Sequence, residues 1–267
     1  MTKLRDKRLF LLDMDGTLYI GDRLFDGVPE FLRHVRSMGG RYLFLTNNSS
    51  RGVEGYIEKL RRLGIESAPG DYLTSVDATI RYLKAALPGK TCYIFGTDSF
   101  LSQLDRAGIP VTRDRNRAEV LLCGFDTELT FQKLEDACIL LNRGADYIAT
   151  HPDLVCPTWY GSAPDCGSVI EMLHTATGRR PKVIGKPQPE MALLAMEQTG
   201  FSPRETCLIG DRVYTDIACG VNAGIDTIFV LSGEGVMEDI PKYGVQPTYC
   251  MQNIREVLNT LEKGEPK

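Results

Sequence analysis

The chain has 267 residues, 43% hydrophobic and 25% charged, with 26 Gly and 14 Pro. That usage excludes collagen-like, low-complexity and disordered classes, and the length suits one large domain or two modest ones. With 31 Lys and Arg against 35 Asp and Glu, the formal charge of −4 gives no electrostatic footprint for nucleic acid or an anionic membrane.

In chain order, short apolar runs at Leu9–Leu12, Tyr42–Leu45, Tyr72–Thr74, Cys92–Phe95, Val120–Cys123, Tyr147–Ala149, Thr206–Ile209 and Thr227–Val230 are expected as strands. Their near-continuous apolar character is what a parallel sheet covered on both faces requires. Amphipathic stretches lie between them, at Val28–Ser37, Val53–Leu63, Phe131–Leu141 and Pro189–Thr199. In the second of these, residues 53, 56, 57, 60 and 63 step by three and four along one helix face. The alternation gives an α/β fold with parallel sheets. Cys92–Ala149 carries its own strand–helix–strand units between the turn-rich stretches Ser67–Asp71 and Thr177–Pro181, so the middle of the chain reads as a separate module. The tail Lys263–Lys267 is polar and is expected to fray.

No apolar run approaches the about 18 residues of a membrane span, and Leu9–Leu12 is too short for a signal-peptide core. The eight Cys form no C-x-x-C pair, which excludes zinc ribbons and disulfide scaffolds. They read as small buried hydrophobes in a reducing compartment, so a cytoplasmic location is the expectation.

Chemistry-bearing residues gather at four strand ends. The first strand runs into Asp13-Met14-Asp15-Gly16-Thr17, where alternate residues of an extended segment let both acids face one site. A D-x-D-G start also opens calcium loops, but Thr-Leu-Tyr-Ile after Gly16 lacks the closing acid. Thr46, Asn47 and Asn48 follow the second strand as phosphate ligands, or else Asn47–Ser50 are capping residues for the next helix. Lys186, between Gly185 and Pro187, can neutralise a phosphoryl group as a fixed charge. Asp211 ends another strand, with Asp216 five residues on as a supporting acid or a helix cap. Carboxylates with hydroxyl and amide oxygens describe a magnesium site that shares its shell with phosphate. His34, His151 and His174 show no ligand-like cluster, and Cys166 has no evident His partner.

In this order, D-M-D-G-T, T-N-N-S, G-K-P-x-P and G-D-x-x-x-T-D resemble the haloacid dehalogenase superfamily of phosphatases. The segment LYIGDRLFDGVPEFL, TNNSS and a large insert between the second and third motifs are similar to its NagD / p-nitrophenyl-phosphatase group. The resemblance implies a Rossmann-like core at 1–76 and 183–267, with an α/β cap inserted at 77–182. It implies Mg²⁺-dependent hydrolysis of a small phosphorylated metabolite, such as a nucleotide or sugar phosphate, through an aspartyl-phosphate. Asp13 would be the nucleophile and Asp15 the general acid and then base. Thr46 and Lys186, with Asn47 and Asn48, would hold the phosphoryl oxygens. The metal would sit on the Asp13 carboxylate, the Asp15 carbonyl and Asp211, supported by Asp216. Trp159, Tyr160 and Asp165 fall in a polar, Gly/Pro-punctuated segment that by layout is a substrate-specificity loop, or else an ordinary connection. A phosphotransferase or phosphomutase would use the same aspartyl-phosphate, and a non-catalytic phospho-ligand module would need only the fold. Sequence does not set the oligomeric state; a homodimer is one state it allows.

Overall fold

The computed structural model describes residues 3–158 and 160–263, so Trp159 and residues 264–267 of the tail lie outside the described residues. The chain divides into two compact units, Met1–Thr46, Tyr56–Leu73 and Lys186–Lys267 in one, Asn47–Gly55 and Thr74–Gly185 in the other. The strands in chain order are β1 (Leu9–Leu12), β2 (Tyr19–Ile20), β3 (Arg23–Leu24), β4 (Arg41–Thr46), β5 (Tyr72–Thr74), β6 (Cys92–Phe95), β7 (Val111–Thr112) and β8 (Val120–Cys123). They continue with β9 (Asp146–Ala149), β10 (Val155–Thr158), β11 (Gly161–Pro164), β12 (Lys182–Val183), β13 (Thr206–Gly210), β14 (Asp226–Val230) and β15 (Tyr249–Met251).

The first unit is built on a six-stranded sheet in the order β15-β14-β13-β1-β4-β5. β1 pairs in parallel with both neighbours, Leu11 lying opposite Leu43 and Leu208. Every residue of β1 and β13 is buried, as their unbroken apolar runs predict. From β1 the chain builds outward through β4 and β5, then returns to add β13, β14 and β15 on the other side. The direction of winding therefore reverses at β1, and ligands of open α/β sheets bind beyond the strand ends at such a point.

The helix Val28–Ser37 shows how sequence sets this packing. Gly27, left-handed, enters the helix with Pro29 in its first turn, and Val28, Phe31, Leu32 and Val35 form the buried stripe. Phe31 meets Phe10 of β1 edge-on, ring centroids 5.4 Å apart. Phe31→Ala is expected to lower the unfolding free energy by about 3–5 kcal/mol, the cost of an aromatic cavity in a closed core. Urea titration reads this; an unchanged midpoint would contradict the packing.

The second unit has a parallel five-stranded sheet in the order β12-β9-β8-β6-β7. Tyr93, Phe95, Leu121, Leu140, Ile170 and Leu173 are among its core residues. Residues 47–55 dock on this unit. The Ser49 hydroxyl accepts from the Phe125 N–H at 2.8 Å and from the Thr150 hydroxyl at 3.1 Å, and the Thr97 hydroxyl donates to the Ser50 carbonyl at 2.9 Å. Gly124 is required beside it, because a Cβ there would stand 2.7 Å from the Ser49 oxygen. No composition shift in the sequence marks that docking.

All eight apolar runs form strands. The antiparallel hairpin β10–β11, with Val155 opposite Pro164 and Thr158 opposite Gly161, has no apolar run to announce it. A two-stranded ribbon has two open edges, which is where Pro is tolerated. All eight cysteines are free, Cys250 alone among them being exposed. Among the described residues, no helix is long and apolar enough to cross a membrane.

Candidate active site

At the end of β1, Asp13 extends the ladder by donating its backbone N–H to the Ile209 carbonyl at 2.9 Å. Its carboxylate then turns to Lys186, whose Nζ lies 2.6 Å from Asp13 Oδ1 and 2.6 Å from Asp216 Oδ1. Lys186 is 2% exposed, and its ammonium also reaches the Leu45 carbonyl of β4 at 3.5 Å. Asp13, Asp211 and Asp216 each offer a carboxylate oxygen within 4.8 Å of the others'. Asp216 also accepts the Arg212 N–H at 3.1 Å, from within the helical turn Val213–Ile217 rather than from its N-cap position, which Arg212 takes.

Two glycines shape this cluster. Gly16 has φ +86°, and a Cβ there would lie 2.3 Å from Asp211 Oδ2; at Gly233 the distance would be 1.9 Å. The loop after β14 closes on the same carboxylate, Glu234 donating its N–H to Asp211 Oδ2 at 2.9 Å. Ser232 ties that loop to the first motif through the Gly16 carbonyl at 2.8 Å. Residues 232–235 went unassigned in the sequence, although Ser-Gly-Glu-Gly directly after a buried strand is the kind of turn that lets backbone approach a site.

Electrostatics at the cluster are unbalanced. Burial pushes the Asp13 carboxyl well above the usual carboxylate range, Asp216 and Asp211 add to it, and Lys186 opposes. Asp211 is pushed up to about 7 by burial and by Asp216, against the Glu234 N–H and Arg212. Burial alone would lower the pKa of Lys186, but Asp13 and Asp216 outweigh it and keep the ammonium charged. Three crowded carboxylates and one lysine thus leave room for a further cation. The donors are all oxygen, the set that hard divalent ions prefer, so the residues fit such an ion.

Asp15 is placed differently from Asp13. Its side chain is 61% exposed and is held by the Lys59 Nζ at 3.3 Å and the Tyr19 hydroxyl at 3.3 Å, outside the carboxylate cluster. Lys59 in turn lies 3.9 Å over the Tyr19 ring. Burial and then the Asp15 charge raise the Tyr19 phenol far above its ordinary value, so it remains a donor. Tyr19 falls in the segment LYIGDRLFDGVPEFL without a role of its own there, and Lys59 sits among the charged residues of an ordinary amphipathic helix. Thr46, 7% exposed, ends β4 with its hydroxyl 3.4 Å from that of Tyr56.

Asn47 and Asn48 belong to the second unit. The Asn47 amide donates to both oxygens of Asp153 at 3.3 Å, and Asn48 accepts from the Ser50 N–H at 2.9 Å. Of the three loop residues, Tyr160 is 64% exposed next to the hairpin strands, while Trp159 lies outside the described residues. Asp165 is 6% exposed and caps the helix Cys166–Thr177, so it is a buried anchor rather than a surface contact. The expectation that His151 has no cluster is corrected: the imidazole lies between Asp153 and Asp165. A chain separation of 14 residues, filled by the hairpin, hid that grouping from the sequence.

Comparison with known proteins follows the same lines. A family model described as haloacid dehalogenase-like hydrolase matches residues 10–110, and a second, HAD-hydrolase-like, matches residues 183–257. An acid sugar phosphatase of Staphylococcus aureus (strain USA300) is 34% identical over 260 residues, 97% of this chain and 100% of its own. The crystal structure of a 4-nitrophenylphosphatase from Thermotoga maritima is similar with a TM-score of 0.91 at 36% identity, covering 97% of this chain and 98% of that one. A glycerol phosphate phosphatase from Mycobacterium tuberculosis, solved in complex with calcium, gives 0.88 at 29% identity, covering 96% of this chain and 76% of that one.

Proposed function

Because the chain belongs to the haloacid dehalogenase-like hydrolase family and is a phosphatase, we propose that it hydrolyses small phosphate monoesters, sugar phosphates and p-nitrophenyl phosphate among them, through a phosphorylated Asp13. The observation that carries this reading is the Asp13 carboxylate at the end of the central strand, held 2.6 Å from a buried lysine beside two further buried acids.

In this reading an Asp13 oxygen attacks phosphorus as the P–O bond to the alcohol breaks, and Asp15 gives its proton to the leaving oxygen. Asp15 then takes a proton from water, whose oxygen attacks the phosphorus of the acyl phosphate. Inorganic phosphate leaves and the Asp13 carboxylate is restored. Lys186 neutralises the negative charge of the phosphoryl oxygens, and Thr46 offers them a hydroxyl donor. The separate surroundings of the two acids support this division of labour. Asp13 sits among buried acids and Lys186, whereas Asp15 is open to solvent and steadied by Tyr19 and Lys59. Asp13 and Asp211, with Asp216 behind them, would hold Mg²⁺, which when bound supplies charge neutralisation at the phosphoryl group. The exposed hairpin β10–β11 with Tyr160 is assigned to substrate selection.

The test is p-nitrophenol release by the purified chain, with and without chelator, restored by Mg²⁺. Asp211→Ala is expected to raise the Mg²⁺ concentration for half-maximal rate by about tenfold or more, since losing a direct ligand costs at least as much as losing an outer-shell partner. An unchanged Mg²⁺ requirement would remove Asp211 from the metal site.

A further inference from the structure

The second unit holds a buried cluster that the proposed reaction does not use. His151 is fully buried; its Nδ1 lies 3.4 Å from Asp153 Oδ2 and its Nε2 lies 3.7 Å from Asp165 Oδ1. Asp153 is 8% exposed. The Asn47 amide donates to both Asp153 oxygens at 3.3 Å, and the Cys166 N–H donates to Asp165 Oδ1 at 2.6 Å.

These acids occupy a particular place. Asp153 stands just before β10 and Asp165 just after β11, so the imidazole lies between the two roots of the hairpin. Backbone contacts join the same roots: Asp165 donates to the Leu154 carbonyl at 3.0 Å, and Gly167 donates to the Asp153 carbonyl at 2.8 Å. The approach is close enough that a Cβ on Gly167 would lie 2.2 Å from the Pro152 carbonyl oxygen.

Proton counting then sets the charge of the ring. A neutral imidazole carries one N–H, so its other nitrogen would turn a lone pair toward a carboxylate. With both nitrogens protonated, each faces a carboxylate within 4 Å, an attraction that favours the charged ring and opposes the cost of its burial. A further titratable neighbour, the Cys166 thiol, is held neutral, its pKa raised well above its ordinary value chiefly by burial. The three groups also qualify by proximity as ligands of an ion. The Zn²⁺ arm of the test below separates an ion shared by these three groups from an imidazolium held between two carboxylates.

We propose that His151 is a positioning residue whose imidazolium ties Asp153 to Asp165 and so fixes the hairpin that selects among phosphorylated substrates. The substrate half of this rests on the phosphatase reading above; the charge of the ring and the order of the hairpin do not. An imidazolium stabilised by partners contributes fully at low pH and is lost as pH rises through its folded-state pKa, so the hairpin loosens on the alkaline side.

The chain has three His, so full-length protein labelled with ¹⁵N-histidine gives three ring systems to assign. The one lost in His151→Asn is expected to keep both ring protons at least about one pH unit above the ordinary histidine value of about 6.5. Amide exchange across residues 155–164 is expected to rise about tenfold in His151→Asn and in Asp165→Asn, as for a local opening made easier by one power of ten. In the same variants kcat/KM for a sugar phosphate should fall more than that for p-nitrophenyl phosphate, and the wild-type ratio should change with the ring's own titration. A His151 ring that is neutral at pH 7, or hairpin exchange unchanged in both variants, overturns the proposal. So does one equivalent of Zn²⁺ bound by the wild type and lost in His151→Asn. If neither variant folds, the His151 ring is assigned by elimination, from the signals lost in His34→Gln and His174→Gln, and its titration in the wild type decides. An ordered, charge-tied hairpin in a protein that turns over no phosphate ester would uphold the anchoring and defeat the phosphatase reading instead.

Discussion

Asp13→Asn is expected to reduce phosphate ester hydrolysis by about 10⁴-fold or more, because an amide cannot form the acyl phosphate and removing a covalent nucleophile leaves only binding and electrostatics. The fold should survive the change. Asp13 is one of three acids crowded at the end of the β1 region, and burial with the neighbouring charges already raises its pKa. Lys186 keeps Asp216 as its partner at 2.6 Å when the Asp13 charge is gone. The melting temperature of the variant is therefore expected at or above that of the parent. Turnover within tenfold of wild type would remove Asp13 from the reaction, and a large drop in melting temperature would show that its charge is structural.

Asp15→Asn is expected to discriminate between leaving groups. A sugar alcohol leaves as a strongly basic oxygen and needs a proton; p-nitrophenolate is already stable and needs little help. Loss of the general acid should cost about 10²–10⁴-fold for the alkyl phosphate and distinctly less for the aryl ester, until dephosphorylation of Asp13 limits both. The position of Asp15 agrees with this. Its carboxylate stands apart from the Asp13–Lys186–Asp216 group, reached by Lys59 and Tyr19 at 3.3 Å each. Steady-state rates on both substrates read the effect. Equal losses would assign Asp15 a role in binding or metal placement instead.

The fold is legible in this sequence wherever burial is complete. β1, β6 and β8 are buried at every position, and an unbroken apolar run of four residues announces each one. β12 has two residues and β15 has a single fully buried one, so their sequences carry no periodic signal. The core of the site is legible for a related reason: Asp13 and Asp211 are charged residues placed directly after fully buried strands, where a solvated side chain is not expected, and Lys186 is pinned between Gly185 and Pro187. Groups that support them are hidden, because each sits in a segment with a sufficient local explanation. Lys59 reads as one more surface charge of an amphipathic helix, and Ser232–Gly235 as a turn. Ser49 reads as a capping residue, yet it is fully buried against Phe125 and Thr150 from far along the chain. His151 and Asp165 become partners only when the hairpin folds back on itself.

The central claim is that phosphate passes through a covalent bond to Asp13. Rapid acid quenching of the wild-type protein during turnover of p-nitrophenyl phosphate, followed by borohydride reduction and peptide mass spectrometry, tests it directly. An acyl phosphate at Asp13 would be reduced to homoserine at position 13, in a fraction of chains that grows with substrate concentration and vanishes without Mg²⁺. Continued release of phosphate with an unmodified residue 13, or with reduction mapped to another carboxylate, would contradict the account.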